Sequence, residues 1–453
     1  MTFFLSREDN NGLYYLLNKS ALNNYQSINE RVVKINKDKK MKLSPKIIFF
    51  IIKNFTNLNL FKKNKILNLK YRQCEIGRHA IATTYRNPKS FNSKIFEIFL
   101  LIKNTILSCM YTDHAYRICD KISGAFIDHC GYLNGIYFRV FALNRKFLYS
   151  LNHPRGFFSI DFSKKNNFKF STIESALKLH PNNLSDKKKN GLKKFKKYLE
   201  NPKLIPWMST TQYKKFDLKN LKNFDYVVYC HSFTDGNLWY GNDGFCNLKD
   251  WLEFTLNNLK NLKKKVIIKA HPNFYNNRLG EIAYADKSIF KKIKKKYTSD
   301  NFIFIDKPLA NIDLLNNLSK RTILISHHGT SILEGSILNF KSITSSSTIY
   351  SSIYSISNQW SDKKEYLKLL GKNFSKLKFS KKIDLNYVLN QLVSNDYAWG
   401  GKNHWIKIIK KFYNLNDIQF RDEELIRKLI NQNTKKSEVL SKKISSNIET
   451  ITF

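Results

Sequence analysis

The feature that most constrains the fold is a regular alternation of short apolar runs and helical segments between residues 226 and 344. The apolar runs, rich in β-branched and aromatic residues, occupy residues 226–230, 266–268, 302–305, 322–325 and 342–344. Segments with the spacing of an amphipathic helix lie between them, at 248–262, 285–296, 311–319 and 331–338. Strands that alternate with helices in this way form a parallel sheet covered by helices on both faces. We therefore predict an α/β fold, with a Rossmann-like domain over residues 224–395.

The first half of the chain repeats this pattern once. A strand at 122–127, a helix at 131–143 and a strand at 146–150 make one βαβ unit. We predict a second α/β domain over residues 1–215, so that two Rossmann-like domains face each other across a cleft. Residues 396–453 would add a helix, at 405–430, that packs back across this cleft, followed by a frayed tail.

The positive charge of the chain has two interpretations, and we favour a bias in the coding sequence over attraction to anionic partners. The 453 residues include 78 Lys and Arg against 35 Asp and Glu, a formal net charge of +43. Such an excess is typical of proteins that bind nucleic acids, anionic membranes or acidic ligands. The lysines are scattered among Asn, Ile and Phe, a pattern that an AT-rich coding sequence would also produce. Because the sequence has no nucleic-acid-binding motif and no basic stripe confined to one element, we expect no specific nucleic-acid partner.

Cysteine usage and apolar runs bear on the location of the protein. The six cysteines form no C-x-x-C pair, as expected in a reducing cytosol. The apolar runs at 47–52 and 95–110 are shorter than the ~20 residues that span a bilayer. The second run also carries Glu97 and Lys103. We expect a cytoplasmic protein that can make peripheral contact with the anionic inner face of the cytoplasmic membrane.

Polar side chains follow four of the predicted strands. Residues 231–236 (His-Ser-Phe-Thr-Asp-Gly) follow the strand at 226–230, and residues 269–272 (Lys-Ala-His-Pro) follow the next strand. Residues 326–331 (Ser-His-His-Gly-Thr-Ser) follow the strand at 322–325, and Asp128-His129 follow the strand at 122–127. Ligands of doubly wound sheets bind outside the carboxyl ends of the strands. We therefore expect these side chains to line one cleft.

The loop at 326–331 has the features of a phosphate site. Gly329 lets a ligand approach the backbone, Thr330 and Ser331 offer hydroxyl groups, and the helix behind them presents free N–H groups. Glu334, about one turn into that helix, could accept two hydrogen bonds from a ribose. An ordinary helix with a capping glutamate would show the same residues.

His271 is a candidate catalytic residue in the C-terminal half. Pro272 ends the strand before it and keeps the backbone at His271 out of the helical region, so the imidazole is offered at the sheet edge. There it could donate a hydrogen bond to a phosphate oxygen. A purely structural His-Pro turn is the alternative.

Asp128 and His129 are the candidate catalytic base in the N-terminal half. Either could remove the proton from an acceptor hydroxyl. Only one would point into the cleft, since neighbouring residues of a strand face opposite ways. A buried Asp128 satisfied by backbone N–H groups is the alternative, and Glu75 and Asp113 are the other possible bases.

Taken in order, these motifs resemble capsule-polysaccharide biosynthesis proteins. The resemblance rests on residues 231–236, the Asp250-Trp251 helix, residues 269–272, and His328-Gly329-Thr330 with Glu334-Gly335. It covers residues 225–350 and extends weakly to 122–156. This family belongs with the bacterial GT-B glycosyltransferases, including Kdo transferases and, more remotely, sialyltransferases with a His-Pro motif. Gly236 is a departure, since the family has a small residue other than glycine after the aspartate.

The resemblance implies a GT-B-like fold and a set of site residues. His271, Thr330 and Ser331 would hold the donor phosphate, Glu334 the ribose, and Asp128 or His129 would act as the base. The remaining expected donor-binding residues are His231, Asp235, Lys269, Ser326, His328 and Gly329. No D-x-D carboxylate motif stands at a strand end, so we expect no metal ion and no other cofactor, as in metal-independent GT-B enzymes.

These expectations favour one function over three others. The favoured function is a glycosyltransferase that moves a sugar from a nucleotide-sugar donor, CMP-linked by preference, to a capsular or other surface polysaccharide or its lipid-linked precursor. A polyol-phosphate transferase of the teichoic-acid type would use a similar cleft but move a phosphodiester. A basic nucleic-acid-binding protein and a non-catalytic polysaccharide-assembly protein are the alternatives of another class.

Overall fold

The structure is a computed structural model in which the described residues form two compact units. These residues are 3–6, 32–34, 43–55, 63–120, 124–127, 131–144, 147–151, 157–159, 195–197, 199–200, 221–238, 241–276, 280–348 and 355–394. The first unit is built from the described residues up to 80 and from those between 103 and 159, and the second from residues 81–102 and the described residues from 195 onward. The predicted segment at 396–453, with its helix at 405–430, lies outside the described residues.

The first 160 residues supply seven strands and five helices among the described residues. The strands are β1 (Phe3–Ser6), β2 (Val32–Lys34), β3 (Lys70–Tyr71), β4 (Cys74–Glu75), β5 (Gly124–Ile127), β6 (Phe147–Leu151) and β7 (Phe157–Ser159). The helices are α1 (Pro45–Phe55), α2 (Lys63–Leu67), α3 (Gly77–Arg86), α4 (Lys94–Cys119) and α5 (Gly135–Leu143). The predicted βαβ unit corresponds to β5, α5 and β6.

Five of these strands form the sheet of the first unit, in the order β2-β1-β5-β6-β7. The pairs from β2 through β6 are parallel, and β7 adds an antiparallel edge. The strands β3 and β4 form a separate antiparallel pair. With that pair set aside, the order is the 2-1-3-4-5 pattern of a doubly wound sheet.

The second unit contains six further strands and six helices among the described residues. The strands are β8 (Tyr226–Tyr229), β9 (Val266–Lys269), β10 (Phe302–Ile305), β11 (Ile323–Ser326), β12 (Lys341–Ser345) and β13 (Asn358–Trp360). The helices are α6 (Leu248–Asn261), α7 (Glu281–Tyr297), α8 (Asn311–Asn316), α9 (Ser331–Ile337), α10 (Lys363–Leu370) and α11 (Lys382–Ser394). Short 3₁₀ helices lie at Pro88–Phe91, Leu221–Asn223, Pro272–Tyr275 and Phe374–Lys376.

The sheet of the second unit is parallel throughout, in the order β10-β9-β8-β11-β12-β13. This is the 3-2-1-4-5-6 order of the Rossmann fold. All residues of β8, β9, β11 and β12 are buried, which explains why these strands are near-continuous apolar runs. The predicted α/β, GT-B-like fold class is thus confirmed at the level of two Rossmann-like units.

The packing of α9 against β11 requires a glycine at position 335. A Cβ atom added at Gly335 would collide with the Cδ1 atom of Leu324. The helix therefore lies unusually close to the sheet, which fixes its first turn directly behind the end of β11. The residues between β11 and α9 are those of the predicted phosphate loop.

The two units do not coincide with the predicted ranges 1–215 and 224–395. Residues 81–102 group with the second unit. Within that unit, Arg86 forms an ion pair with Asp235, and the rings of Tyr85 and Phe91 pack together at 5.4 Å. Because the ion pair joins residues 149 positions apart, no local signal in the sequence marks this division.

Helix α4 is longer than its apolar run indicates. By length and composition it is the one helix, among the described residues, that could cross a membrane. The expectation that this segment is too short is therefore wrong, because residues 111–119 extend the helix beyond the run at 95–110. Its charged side chains have protein partners: Glu97 accepts a hydrogen bond from Tyr85, and Asp113 pairs with Arg72 at 2.9 Å.

Candidate functional site

Three histidine rings meet at the carboxyl edge of the second sheet. His231 follows β8, His271 follows β9 and His328 follows β11. The ring centroid of His231 lies 4.0 Å from that of His328 and 5.0 Å from that of His271. Strands β8 and β11 are neighbours from which the order runs in opposite directions, so the rings lie at the topological switch point, where ligands of such sheets bind.

Burial keeps all three imidazoles neutral. It lowers the pKa of His231 to about 4, against the opposing effect of Asp235. The pKa of His271 is well below its usual value because of burial, and then because of His231 and Lys269. Burial, followed by the other histidines, likewise holds the pKa of His328 well below its usual value. An anion bound among the rings would oppose this effect and raise all three pKa values.

In two of these rings, a backbone group determines which nitrogen carries the proton. The backbone N–H of Asn273 donates to Nδ1 of His271 at 3.2 Å, so the neutral His271 ring carries its proton on Nε2. The Nδ1 atom of His231 lies 3.4 Å from the carbonyl oxygen of Ser232, which can only accept. His231 therefore carries its proton on Nδ1 and has a bare Nε2. The site thus combines an N–H donor with a proton acceptor.

The loop after β8 is held by a buried carboxylate, that of Asp286 on helix α7. Asp286 accepts hydrogen bonds from the hydroxyl of Ser232 at 2.5 Å and of Thr234 at 3.0 Å, and from the backbone N–H groups of Phe233 and Thr234 at 3.0 and 3.1 Å. Burial raises its pKa to about 6, although these four bonds favour the ionised form, so Asp286 is charged at neutral pH. It does not touch the three rings and acts by positioning the loop that carries His231.

Gly236 allows the same loop to pass close to the rings. It has a φ of +76°, a conformation that residues with a Cβ atom rarely adopt. A Cβ atom at this position would lie 3.1 Å from Nε2 of His328 and 3.5 Å from Cε1 of His231. A glycine at position 236 therefore lets the loop pass beside His231 and His328.

Asp235 is tied to an arginine that the sequence did not indicate. Its Oδ1 atom accepts from Arg86 at 3.2 Å and from the backbone N–H of Gly236 at 3.0 Å. The side chain of Asp235 is about half exposed and that of Arg86 about a third. Since Asp235 also lies close enough to raise the pKa of His231, the pair lies beside the rings.

The loop at 326–331 is closely packed around Gly329. The backbone N–H of Gly329 donates to Oγ of Ser326 at 3.0 Å. A Cβ atom at Gly329 would lie 2.8 Å from Oγ of Ser326 and 3.3 Å from Oγ of Ser331. Thr330 and Ser331 are partly exposed, next to His328. Their contact with a donor phosphate stays a prediction.

Lys269 and Glu334 are buried together at the same edge. Their side chains attract each other, and Glu334 accepts a hydrogen bond from Nδ2 of Asn311 at 2.7 Å. Burial lowers the pKa of Lys269 to about 8 and raises the pKa of Glu334. Lys269 stands beside Tyr229 in the strand register and also acts on His271. The predicted bond from Glu334 to a ribose stays a prediction.

A fourth histidine connects the cluster to a buried acid. Nε2 of His327 lies 2.7 Å from the carboxylate of Asp243, and its Nδ1 lies 2.7 Å from Nδ1 of His328. Asp243 is 1% exposed. Burial alone would raise its pKa, but His327 and the hydrogen bonds from His327 and Ser345 lower it below the usual range.

The predicted catalytic base lies outside the described residues, since these do not include 128–130. Of the alternatives, Glu75 pairs with the buried Arg139 at 2.5 Å and Asp113 pairs with Arg72. Each of these two carboxylates thus has an arginine as its partner. The assignment of the base to Asp128 or His129 stays a prediction.

Sequence reasoning missed three residues that shape this site, Arg86, Asp243 and Asp286, and it gave His327 no role beyond its place in the loop at 326–331. Asp286 had a readable signal, because it occupies the apolar face of α7 together with Ala283, Phe290 and Ile293. Asp243 stands in the segment Gly241-Asn242-Asp243-Gly244, whose composition is that of an ordinary turn. No sequence pattern around His327 distinguishes its role from that of His328, and none around Arg86 indicates its ion pair.

Chemically, the arrangement is suited to an oxyanion. It offers an imidazole N–H donor, hydroxyl groups, and rings that gain protons when a negative charge approaches. Among the described residues, no group of three or more His, Cys, Asp or Glu side chains has the geometry to hold a metal ion.

Comparisons with known proteins give a likeness in structure only. No protein-family model matches the chain, and no curated protein matches it. The β-Kdo 2,4-transferase KpsC of Thermosulfurimonas dismutans is 11% identical, with a TM-score of 0.37, over 59% of this chain and 79% of that one. The UDP-GlcNAc 2-epimerase of Methanocaldococcus jannaschii is 12% identical, with a TM-score of 0.27, over 87% and 99%.

A third similar structure is the α,α-trehalose-phosphate synthase of Burkholderia xenovorans. It is 9% identical, with a TM-score of 0.32, over 90% of this chain and 99% of that one. Structural similarity at these identities and TM-scores does not indicate a function for this chain.

The role of Asp286 predicts the effect of removing its charge. The change Asp286→Asn should lower the free energy of unfolding by about 2 kcal/mol, because donors that face the carboxylate lose their acceptor. Urea denaturation at pH 7 measures this. Asp225→Asn is the control, since Asp225 is exposed and accepts one bond, from the backbone N–H of Lys265. Equal stability of the two variants would contradict the assigned role.

Proposed function

We propose that the chain is a glycosyltransferase of the GT-B type that moves a sugar from a nucleotide-sugar donor. The observation that carries this proposal is the cluster of three imidazoles at the switch point of a 3-2-1-4-5-6 sheet. A buried group of neutral rings beside hydroxyl groups is suited to bind the anionic phosphate of a nucleotide. In sugar transfer this nucleotide is the leaving group. The order of motifs along the chain supports the same assignment.

In the proposed reaction the acceptor hydroxyl displaces the nucleotide at the anomeric carbon. The C–O bond to the phosphate breaks as the new C–O bond forms, and negative charge develops on the departing phosphate oxygen. His271 donates its Nε2 proton in a hydrogen bond to that oxygen, and the hydroxyls of Thr330 and Ser331 bind the neighbouring oxygens. Each such donor contributes about 2–4 kcal/mol to stabilisation of the transition state. No metal ion is assigned a role.

The acceptor side of the reaction rests on the sequence. Asp128 or His129 takes the proton of the acceptor hydroxyl, which is a poor nucleophile without a base. The acceptor is a capsular or other surface polysaccharide, or its lipid-linked precursor. Both this acceptor and the preference for a CMP-linked donor follow from the resemblance to capsule-polysaccharide proteins.

A polyol-phosphate transferase is the nearest competing function. It would also place a phosphate among the imidazoles, but bond breaking would occur at phosphorus rather than at the anomeric carbon. Donor identity separates the two functions. The nucleic-acid-binding and non-catalytic alternatives gain no support from the histidine cluster.

We further propose that the protein is cytoplasmic and rests on the anionic inner face of the membrane through helix α1. The outward side chains of this helix are apolar: Ile48, Phe49 and Ile52 are 45%, 68% and 54% exposed. Ile47, on the opposite side, is fully buried. Lys46 and Lys53 are exposed beside the apolar row. A helix with apolar side chains outward and lysines beside them is suited to the surface of an anionic bilayer.

The central test of the proposed function is a donor panel followed by one substitution. CMP-, UDP- and GDP-linked sugars are screened for thermal stabilisation, and we expect the CMP-linked sugar to raise the melting temperature most. With that donor, His271→Ala should lower the rate of sugar transfer by about 100-fold or more. Tyr284→Ala, which changes a side chain that is 78% exposed, is the control. A loss of only a few-fold would assign His271 a structural role, and transfer of a polyol phosphate would favour the competing enzyme.

The membrane proposal predicts selective loss of vesicle binding. The unaltered chain should sediment with phosphatidylglycerol vesicles and not with phosphatidylcholine vesicles. The double change Phe49→Ser and Ile52→Ser should weaken this binding at least about tenfold, because two large apolar side chains no longer leave water. Phe379→Ser with Ile383→Ser, also exposed apolar residues, should have no effect. If the Phe49 and Ile52 variant binds as strongly as the unaltered chain, charge alone accounts for the contact.

A further inference from the structure

A row of hydrogen bonds runs from the buried carboxylate of Asp243 through His327 to His328. The carboxylate lies 2.7 Å from Nε2 of His327, and the Nδ1 atoms of the two histidines are 2.7 Å apart. Nε2, on the far side of the His328 ring, lies beside Gly236, where an added Cβ atom would be 3.1 Å from it and 3.5 Å from Cε1 of His231. The row therefore joins the buried carboxylate of Asp243 to the nitrogen of His328 that lies on the side of Gly236 and His231.

The short contact between the two Nδ1 atoms fixes how many protons they share. Two protonated nitrogens would repel each other and two bare ones would form no bond, so one proton lies between them. An ionised Asp243 requires a proton on Nε2 of His327. Two arrangements of the row satisfy both conditions.

In the first arrangement His327 is neutral, with a bare Nδ1 that accepts from Nδ1 of His328. Nε2 of His328 is then bare and can only accept. In the second arrangement His327 is a cation and donates to Nδ1 of His328, so Nε2 of His328 carries a proton and can donate. The charge on His327 thus decides whether His328 presents a lone pair or an N–H group to the site.

The surroundings of Asp243 and His327 are rigid. Asp243 also accepts from the hydroxyl of Ser345 and from the backbone N–H of Phe245. The ring of His327 is enclosed between Trp251 at 5.5 Å and Trp360 at 5.9 Å, with near-perpendicular planes in both contacts. Neither group can turn away without breaking this packing, so the row keeps its orientation while its protons move.

We propose that Asp243 and His327 are positioning residues that allow Nε2 of His328 to take up a proton when an anionic group binds, with the resulting positive charge held on His327 beside Asp243. This inference rests on the proposed function of the histidine cluster. The row of hydrogen bonds thereby changes Nε2 of His328 from a hydrogen-bond acceptor to a hydrogen-bond donor.

The step involves protons only. A proton from water or from an acidic ligand oxygen binds Nε2 of His328, and the Nδ1 proton of His328 passes to Nδ1 of His327. His327 becomes an imidazolium that donates to His328 and to Asp243. One positive charge is gained by the protein, which partly neutralises the bound anion, and no other bond changes.

Other titratable groups face this row. His231 and His271 lie on the ligand side of His328, and each disfavours a charge there. Asp243 is the acid next to His327, and the Tyr366 hydroxyl interacts with it from helix α10. A positive charge on His327 would lie directly beside the carboxylate of Asp243, whereas one on His328 would lie beside two other imidazoles.

The first test needs no ligand. Histidine side chains are labelled with ¹⁵N, and NMR measures ring protonation and the coupling between nitrogens that share a proton. We expect a coupling between Nδ1 of His327 and Nδ1 of His328, and a protonated Nε2 on His327. Lack of this coupling, or a bare Nε2 on His327, would overturn the inference and leave the proposed function unaffected.

The second test measures protons taken up with inorganic phosphate. Titration calorimetry at pH 7, in buffers of different ionisation enthalpy, should show uptake of about one proton by the unaltered chain. In Asp243→Asn, which preserves shape but removes the charge, uptake should vanish and phosphate affinity should fall about tenfold. His327→Gln should behave likewise, and Asp225→Asn, at the other end of β8, should resemble the unaltered chain. Unchanged uptake in Asp243→Asn, or none in the unaltered chain, would overturn the inference.

Discussion

One physical constraint governs the cluster of His231, His271 and His328. A positive charge on a buried imidazole ring is unfavourable in free energy. The centroids of His271 and His328 lie within 5.0 Å of that of His231, and burial is the largest cause of the lowered pKa of each of the three rings. Neutral rings can coexist at this distance, whereas three imidazolium ions could not. A bound anion reverses the balance, so binding and protonation are linked.

The fold is organised so that these rings meet. The register of the parallel strands aligns Tyr229 with Lys269 on one side and with Ser326 on the other, and each histidine follows one of these strands. Loops at strand ends are poorly fixed by the sheet itself. Here Asp286 holds the loop after β8 and Gly236 lets it pass close to the rings. The close packing at Gly335 fixes the loop after β11 in the same way.

The sheet of the second unit was readable because its strands are buried on both faces and so appear as continuous apolar runs. The strand β13 is Asn358-Gln359-Trp360, and nothing in that composition indicates a strand. Candidate residues after β8, β9 and β11 could be found by the rule that ligands bind at strand ends. Asp243 and Arg86 could not, because each meets its partner across more than 80 residues and looks like an ordinary turn or helix residue.

A structure determined with CMP bound would show where the phosphate lies relative to the three rings. We expect a phosphate oxygen to accept a hydrogen bond from Nε2 of His271. Other phosphate oxygens should lie against His231 and His328, with hydroxyls of the loop at 326–331 completing the contacts. A phosphate bound beyond hydrogen-bond distance of all three rings would rule out the histidine cluster as the phosphate site.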